Sequence, residues 1–121
     1  MNFSILIYET ADDFAARNHA EATTREAYLS SWPPYIDALM KAGVFVGGAG
    51  LQQPDHATTL RFEGDQQYVQ DGPYADTKEQ LGGFVIIDVP DLDTALEWAA
   101  RVPRSAGRVF EVRPNLIPVD H

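Results

Sequence analysis

The centre of the chain couples a polar turn to an apolar strand, and residues 71–87 read DGPYADTKEQLGGFVII. The first part of this segment combines glycine and proline, which restrict the backbone, with carboxylates and one lysine. Residues 84–87 are apolar on both faces of an extended chain, which predicts a buried strand. Small domains usually carry their chemistry on polar turns that a rigid strand positions. We therefore expect the fold to be built around this strand and functional residues to lie beside it.

Other strands are predicted on both sides of this central strand. Residues 2–9 (NFSILIYE) alternate in hydrophobicity, which predicts a strand with one apolar face and one partly apolar face. Shorter strands are predicted at residues 44–46, 58–63, 67–69 and 109–113.

Helices are predicted between these strands. A capping-box pattern from Thr23 to Glu26 begins a helix, and Gly43 ends it. Pro33-Pro34 either kinks this helix or begins a second one that Ser31 caps. A later helix is capped by Asp91 and ended by Pro103. The polar residues 10–22 predict a loop with a short helical turn.

This order of elements, β-α-β-β-(short β)-β-α-β, predicts an α+β fold. Its expected form is a ferredoxin-like split βαβ sheet with the helices on one face. The length of 121 residues, with 45% hydrophobic and 22% charged residues, predicts a single domain over residues 1–121. The chain has no cysteine, which excludes disulfides and thiolate metal sites and fits a cytoplasmic location.

The charge balance is strongly acidic, with a formal net charge of -9. Nucleic acids and anionic membranes are polyanions that such a chain repels on average. The four arginines near the end of the chain are spread out and form no basic cluster. We therefore expect no nucleic-acid partner and no membrane partner. The first basic side chain is Arg17, so we also expect no secretory signal.

The two longest strands leave a second apolar surface. Helices can cover only one face of the sheet, yet Leu6 and Tyr8 oppose Ile5 and Ile7, and residues 84–89 are apolar on both sides apart from Asp88. An uncovered apolar surface of this kind usually marks an interface. We expect a homodimer that packs through this second sheet face. The alternative is a long loop that folds over it.

The polar turn supplies the first candidate site. A lysine beside carboxylates, as in Asp71, Lys78 and Glu79, suits binding of an anionic group or polarisation of a carbonyl. The alternative is a solvated surface turn, which the residue types alone favour. Four aromatic residues either line a cavity between helix and sheet or belong to the core: Tyr8, Tyr28, Trp32 and Tyr35. The core is the default for aromatic residues at helical spacing.

The remaining motifs argue against several kinds of site. The GGAG segment at residues 47–50 lacks the Lys-Ser/Thr of a phosphate-binding loop, so a bulge or tight bend is expected there. His19, His56 and His121 have no metal-ligand spacing, and we expect no metal and no cofactor. His19 or His56 can act as an acid or base only if the fold brings it to a pocket.

Residues 71–84 resemble the DGPF-domain branch of the YCII-related superfamily. The likeness extends to residues 35–43, 47–52, 91–99 and 111–114 and so covers nearly the whole chain. The resemblance implies a ferredoxin-like fold that dimerises in the manner of dimeric α+β barrels. It also implies a small bacterial protein of unsettled function, in a family with some members encoded beside or fused to extracytoplasmic-function sigma factors.

The resemblance also limits what can be transferred. The YciI-like branch has a proposed His/Asp pair, and this chain has Trp32 and Val102 at the aligned positions. Catalytic residues are therefore unassigned. Where the motif usually has phenylalanine, this chain has Tyr74, which adds a hydroxyl group.

Three functions are compatible with the sequence. The first is binding, with or without transformation, of a small molecule in a pocket rimmed by residues 71–83. Its expected ligand-binding residues are Asp71, Tyr74, Lys78, Glu79 and Trp32. The alternative is a protein-interaction or regulatory module associated with an extracytoplasmic-function sigma factor. The third is a scaffold without chemistry.

Overall fold

The computed structural model describes residues 1–120 and shows an α+β fold. Its strands are β1 (Asn2–Glu9), β2 (Phe45–Gly50), β3 (Thr58–Glu63), β4 (Gln66–Asp71), β5 (Gln80–Asp88) and β6 (Val109–Pro114). Its helices are α1 (Ala11–Arg17), α2 (Ala22–Leu29), α3 (Trp32–Lys41) and α4 (Leu92–Ala99), with a short 3-10 helix at Pro54–His56. His121 lies outside the described residues.

The main sheet has four strands in the order β2-β5-β1-β6, and each neighbouring pair is antiparallel. The strand that follows the polar turn, β5, is therefore central, as predicted. This strand order, with helices between β1 and β2 and between β5 and β6, is compatible with a ferredoxin-like fold. Strands β3 and β4 form a separate two-stranded hairpin.

The core lies between one face of the sheet and helices α3 and α4. Alternate residues of β1 and β5, including Ile5 and Ile87 with no exposed surface, point to this face. Leu39 from α3 and Ala95 from α4 pack onto them and are equally buried. We call this side of the sheet the helix face. The prediction that the helices share one face is confirmed for α3 and α4.

The opposite side of the sheet, the second face, carries half-buried apolar side chains. Leu6, Tyr8, Phe84 and Ile86 point there because strand residues alternate between faces. The segment after β6 covers one end of this face. The Ser4 hydroxyl donates to Asn115 Oδ1 at 2.5 Å, and the backbone amides of Asn115 and Val119 donate to Asn2. On the rest of the second face, the side chains of Leu6, Tyr8, Phe84 and Ile86 remain partly exposed.

The predicted loop over residues 10–22 is wrong, because helix α1 forms there. The backbone amide of Asp13 donates to the Thr10 hydroxyl at 3.3 Å, and the backbone amide of Thr10 donates to the Asp13 carboxylate at 3.2 Å. This is a capping box with aspartate at its last position, where the usual pattern has glutamate or glutamine. The predicted box from Thr23 is also wrong, since α2 begins at Ala22 without a side-chain cap. The prolines do begin a second helix, α3, within its first turn.

The glycine segment forms strand β2, which is longer than predicted and carries an irregularity between Phe45 and Gly47. Strand β5 also begins earlier than predicted, at Gln80. Its register with β1 shifts between Ile7 and Tyr8, so Gly82 is the extra residue of a bulge. This bulge places Gly82 next to the last residue of β1, where the candidate site begins.

Candidate functional site

A cavity of about 760 Å³, the main cavity, opens between the helix face of the sheet and helices α2 and α3. This volume is within the range of small-molecule sites. Most of its walls are apolar, and Ile7, Trp32, Ile36 and Phe45 supply large side chains. Its polar side chains are Glu9, Arg17, Asn18, Tyr28 and Gln52.

The sheet wall of the main cavity is formed largely by glycine backbone, and three of these glycines are required by close packing. An added Cβ at Gly48 would lie 2.6 Å from the carbonyl oxygen of Phe84, and one at Gly83 would lie 2.9 Å from that of Ala49. An added Cβ at Gly82 would lie 2.7 Å from Cδ and 2.8 Å from Cγ of Glu9. Real Cβ atoms do not approach heavy atoms so closely, so glycine is needed at all three positions.

Glu9 is the centre of the polar end of the main cavity. Its side chain is 2% exposed, and its Oε1 accepts a hydrogen bond from Arg17 Nη2 at 2.5 Å. Its Oε2 accepts one from the Tyr28 hydroxyl at 2.5 Å. Arg17 also donates to the backbone carbonyls of Leu51 and Gly82, which ties the end of α1 to β5 and to the segment after β2. A buried carboxylate needs such partners to remain charged.

A second layer of charge lies behind Glu9. Arg108 Nη2 is 3.4 Å from Glu9 Oε2 and 2.9 Å from Asp13 Oδ1. We call Glu9, Asp13, Arg17 and Arg108 the ion network. Burial alone raises the pKa of Asp13, but hydrogen bonds from Ser105 and Arg108 outweigh it and hold this pKa below its usual value. The network joins β1, α1 and the start of β6.

Tyr28 connects helix α2 to this network. Burial and the hydrogen bond to Glu9 raise the pKa of Tyr28 to about 12, so its hydroxyl stays protonated at neutral pH. The guanidinium groups of Arg17 and Arg108 lie 5.4 and 5.7 Å from the centre of its ring. The Trp32 ring lies 6.2 Å from it, so the two rings form an aromatic wall opposite the sheet. The donors at this polar end are thus directed at Glu9.

A smaller cavity of about 330 Å³, the minor cavity, lies on the other side of the segment after β2. Pro73, Gln80 and Leu81 of the polar turn line it, together with His56. His56 thus borders a cavity, whereas His19 is exposed and accepts a hydrogen bond from the Glu21 amide. Neither histidine lines the main cavity.

The structure separates the residues that the sequence predicted as one site. Trp32 lines the main cavity, which is the less favoured of the two alternatives that the sequence left open for it. Asp71, Tyr74 and Lys78 are exposed, with Tyr74 81% accessible, and Glu79 is half-buried. These four line neither cavity. Their role in ligand binding stays a prediction. From the predicted rim over residues 71–83, only Gly82 and Gly83 reach the main cavity.

Of the residues at the polar end of the main cavity, Tyr28 was expected, like Trp32, either to line a cavity or to belong to the core, and the others were not predicted from the sequence. Glu9, Arg17, Tyr28 and Arg108 come from separate elements, and no short motif joins them. One signal was available for Glu9, a carboxylate in line with Phe3, Ile5 and Ile7 on the apolar side of its strand. A charge at such a position needs a buried partner. Val102, at the position of the YciI-like aspartate, is 1% exposed and belongs to the core.

Among residues 1–120, no group of three or more histidine, aspartate or glutamate side chains is arranged to hold a metal ion. No helix in this part of the chain has the length and hydrophobicity needed to cross a bilayer.

Comparison with known families decides where this chain belongs. The model of the YCII-related domain matches residues 1–116. The chain belongs to the YCII-related family. The match extends from β1, which carries Glu9, through β6, and so includes both cavities and the whole ion network.

A similar protein occurs in Rhizobium meliloti (strain 1021) and is described as uncharacterized. The two sequences are 42% identical over 78 residues, a stretch that spans 62% of this chain and 62% of the relative. This relative therefore supports the family relationship and adds no ligand or reaction.

Proposed function

We propose that this YCII-related protein binds a small organic molecule in the main cavity. The observation that carries this proposal is the combination of a volume of about 760 Å³ with apolar walls and one polar end, where Glu9 accepts hydrogen bonds from Arg17 and Tyr28. Small-molecule sites typically combine apolar walls with a few positioned polar groups. The sequence predicted a pocket rimmed by residues 71–83, and Gly82 and Gly83 are the residues of that range that line the main cavity.

The polar end supports binding in preference to proton transfer. Glu9 accepts hydrogen bonds from Arg17 and Tyr28 and lies beside Arg108, so removal of its charge would leave two guanidinium groups without their shared partner. Tyr28, with a pKa of about 12, does not release its proton near neutral pH. A general acid or base works best with a pKa near the working pH.

Gly50 provides the sharpest test of ligand binding. It lines the main cavity, and an added Cβ there would meet no heavy atom within 4 Å. Gly50→Leu should therefore fill part of the cavity without disturbing the fold. A metabolite library is screened by thermal shift with the wild-type protein, and each hit is titrated by calorimetry. We expect Gly50→Leu to weaken every cavity ligand by at least about tenfold, which corresponds to ~1.4 kcal/mol.

Gly47 in the same strand is the matched control. An added Cβ at Gly47 is equally unhindered, but Gly47 pairs with Ile86 and so faces the second face. Gly47→Leu should leave ligand affinity unchanged. Hits that bind Gly50→Leu as tightly as the wild-type protein would place the ligand elsewhere and contradict the proposal.

We also propose that the protein is a cytoplasmic homodimer of the DGPF branch, with two sheets packed through their second faces as in dimeric α+β barrels. The half-buried Leu6, Tyr8, Phe84 and Ile86 support this arrangement, because two such surfaces would bury each other. The DGPY sequence at residues 71–74 supports the branch, and the cysteine-free composition supports the location.

The hairpin of β3 and β4 favours a second candidate function, a protein-interaction module of the kind associated with extracytoplasmic-function sigma factors. Leu60, Phe62 and Val69 share one face of this hairpin and are 52%, 65% and 64% exposed. This apolar surface is separate from the second face of the main sheet. It would remain available to another protein after dimerisation through the sheet.

A further inference from the structure

The charges around the main cavity indicate which class of molecule it accepts. This inference rests on the proposed function and narrows it. Glu9 and Arg17 are the charged side chains on the cavity wall, and they form an ion pair with each other. Behind them, Asp13 and Arg108 form a second pair at 2.9 Å. Two carboxylates therefore face two guanidinium groups, and the formal charges of the ion network cancel.

The two terminal nitrogens of Arg17 are already engaged within the protein, and its Nε, which has no hydrogen-bond partner, is buried and presents no surface to a ligand. Nη1 donates to the Leu51 carbonyl, and Nη2 donates to Glu9, Tyr28 and the Gly82 carbonyl. The two-pronged end that usually holds a carboxylate or phosphate is thus engaged within the protein. A ligand anion would find no free counter-charge, because Arg17 is already paired with Glu9. A ligand cation would find none either, because the Glu9 carboxylate is already paired with Arg17. Either arrangement is unfavourable.

The two long walls of the main cavity favour a flat molecule. On the sheet side, Gly50 leaves bare backbone with open space above it. On the helix side, the rings of Tyr28 and Trp32 form the aromatic wall, and their planes are tilted by 53° to each other, so a ligand ring stacks on one of them at a time. A side chain at position 48, 82 or 83 would collide with Glu9 or with neighbouring backbone, which explains the glycines there. A side chain at position 50 would collide with nothing, so packing within the protein does not explain Gly50. A planar ring fits the space between bare backbone and aromatic side chains.

We propose that the main cavity takes an uncharged, planar aromatic molecule. Its ring lies between Gly50 and the Tyr28–Trp32 wall, and its polar atoms meet the uncharged side chains at the rim. Asn18 is one of these, since its amide nitrogen already donates to Phe14 and Gln53 and its oxygen is left as an acceptor. Gln52 is another and lies exposed at the rim.

Three probes with the same ring and different charges test this proposal: indole, indole-3-acetate and tryptamine. Each is titrated into ¹⁵N-labelled protein, and the amide shifts of Gly48, Gly50 and Gly83 are followed. We expect indole to shift these amides and the two charged probes to bind at least about tenfold more weakly, a difference of ~1.4 kcal/mol. Gly50→Leu should abolish the shifts caused by indole, and Gly47→Leu should preserve them.

A change of network charge supplies a second, independent readout. Glu9→Gln removes one negative charge with little change in shape, so the network becomes positive by one unit. We expect this variant to bind indole-3-acetate more tightly than the wild-type protein does and to reject tryptamine further. A variant that folds and keeps the wild-type order of affinities would overturn the charge argument. If Glu9→Gln does not fold, the three-probe series with the wild-type protein still decides the proposal.

The outcomes separate this inference from the proposed function. Suppose that indole-3-acetate or tryptamine binds more tightly than indole and that Gly50→Leu abolishes this binding. This result would refute the inference that the ligand is uncharged, but it would still support ligand binding in the main cavity. Absence of amide shifts with all three probes up to their solubility limits would also refute the inference. Library hits that Gly50→Leu weakens would in that case still support the proposed function.

Discussion

Gly82 is the residue on which the polar end of the main cavity depends most directly. The space that its side chain would fill is occupied by the Glu9 carboxylate, which Arg17 and Tyr28 hold in place. A methyl group at position 82 therefore either displaces a buried charge or distorts strand β5. Both consequences are unfavourable in a packed interior.

Gly82→Ala should lower the free energy of unfolding by about 2 to 4 kcal/mol. The measurement is urea denaturation followed by circular dichroism. Gly50→Ala is the control, because it adds the same methyl group to the same cavity without a neighbour within 4 Å. Equal stability of the two variants would show that Glu9 is free to move away from Gly82.

At the scale of elements, helix α1 shows where the sequence was informative and where it was not. Strand β5, the hairpin and helix α4 were predicted, because each has a periodic pattern or a standard cap. Helix α1 was missed because its seven residues include only one large apolar side chain, Phe14, and its capping box ends in aspartate. The helix is stabilised by tertiary contacts of Asp13 and Arg17, which no local pattern contains.

The candidate site was predicted less completely for the same reason. Trp32 was found because it lies on the apolar stripe of a helix, and Gly82 and Gly83 lay within a recognisable segment. Glu9, Arg17 and Arg108 are widely separated in sequence and meet only after the sheet has formed. Polar residues of the turn at 71–79 drew attention by their type, yet most of them are exposed.

The attachment of α1 should make the stability of the protein depend on pH in acid. The pKa of Asp13 is lower in the folded chain than its ordinary value of 3.8, so the charged form is the one that folding favours. Its contribution to stability is therefore complete above about pH 4 and is lost as pH falls through the lower, folded-state pKa. Asp13→Asn should lower the free energy of unfolding at pH 7 by about 1 to 3 kcal/mol.

The same variant should also lose less stability than the wild-type protein between pH 5 and pH 2.5. Melting temperatures across this range provide the measurement. Asp12→Asn, at an exposed position in the same helical turn, should follow the wild-type curve. If Asp13→Asn is as acid-sensitive as the wild-type protein, the ion network does not depend on the charge of Asp13.

At the scale of the whole molecule, two apolar surfaces compete as the site of self-association. One is the second face of the main sheet, with Leu6 and Ile86 near its centre. The other is the exposed face of the hairpin, with Phe62 65% accessible. The proposed homodimer uses the first surface, and the alternative interaction function uses the second.

Light scattering coupled to gel filtration distinguishes these surfaces. We expect the wild-type protein to have twice the mass of one chain, Ile86→Glu to have the mass of one chain, and Phe62→Glu to remain a dimer. A charge buried in a dimer interface costs several kcal/mol, which is enough to dissociate an interface of ordinary affinity. Circular dichroism verifies that each variant is folded. A monomeric wild-type protein at all concentrations would refute the homodimer.

Monomeric Phe62→Glu together with dimeric Ile86→Glu would identify the hairpin as the dimer contact. The hairpin would then be covered in the dimer, and the proposal of a separate protein-interaction surface would lose its support.

The contact between Gly82 and Glu9 also bears on how the family's sequences change over time. The two positions are far apart in the chain, yet the size of one side chain sets the permitted size of the other. Relatives with a shorter side chain at position 9 should tolerate a larger residue than glycine at position 82. Relatives that keep glutamate at position 9 should also keep glycine at position 82. The two positions should therefore vary together among relatives. Inspecting this pair would separate relatives that retain the charged pocket from relatives that share only the turn before β5.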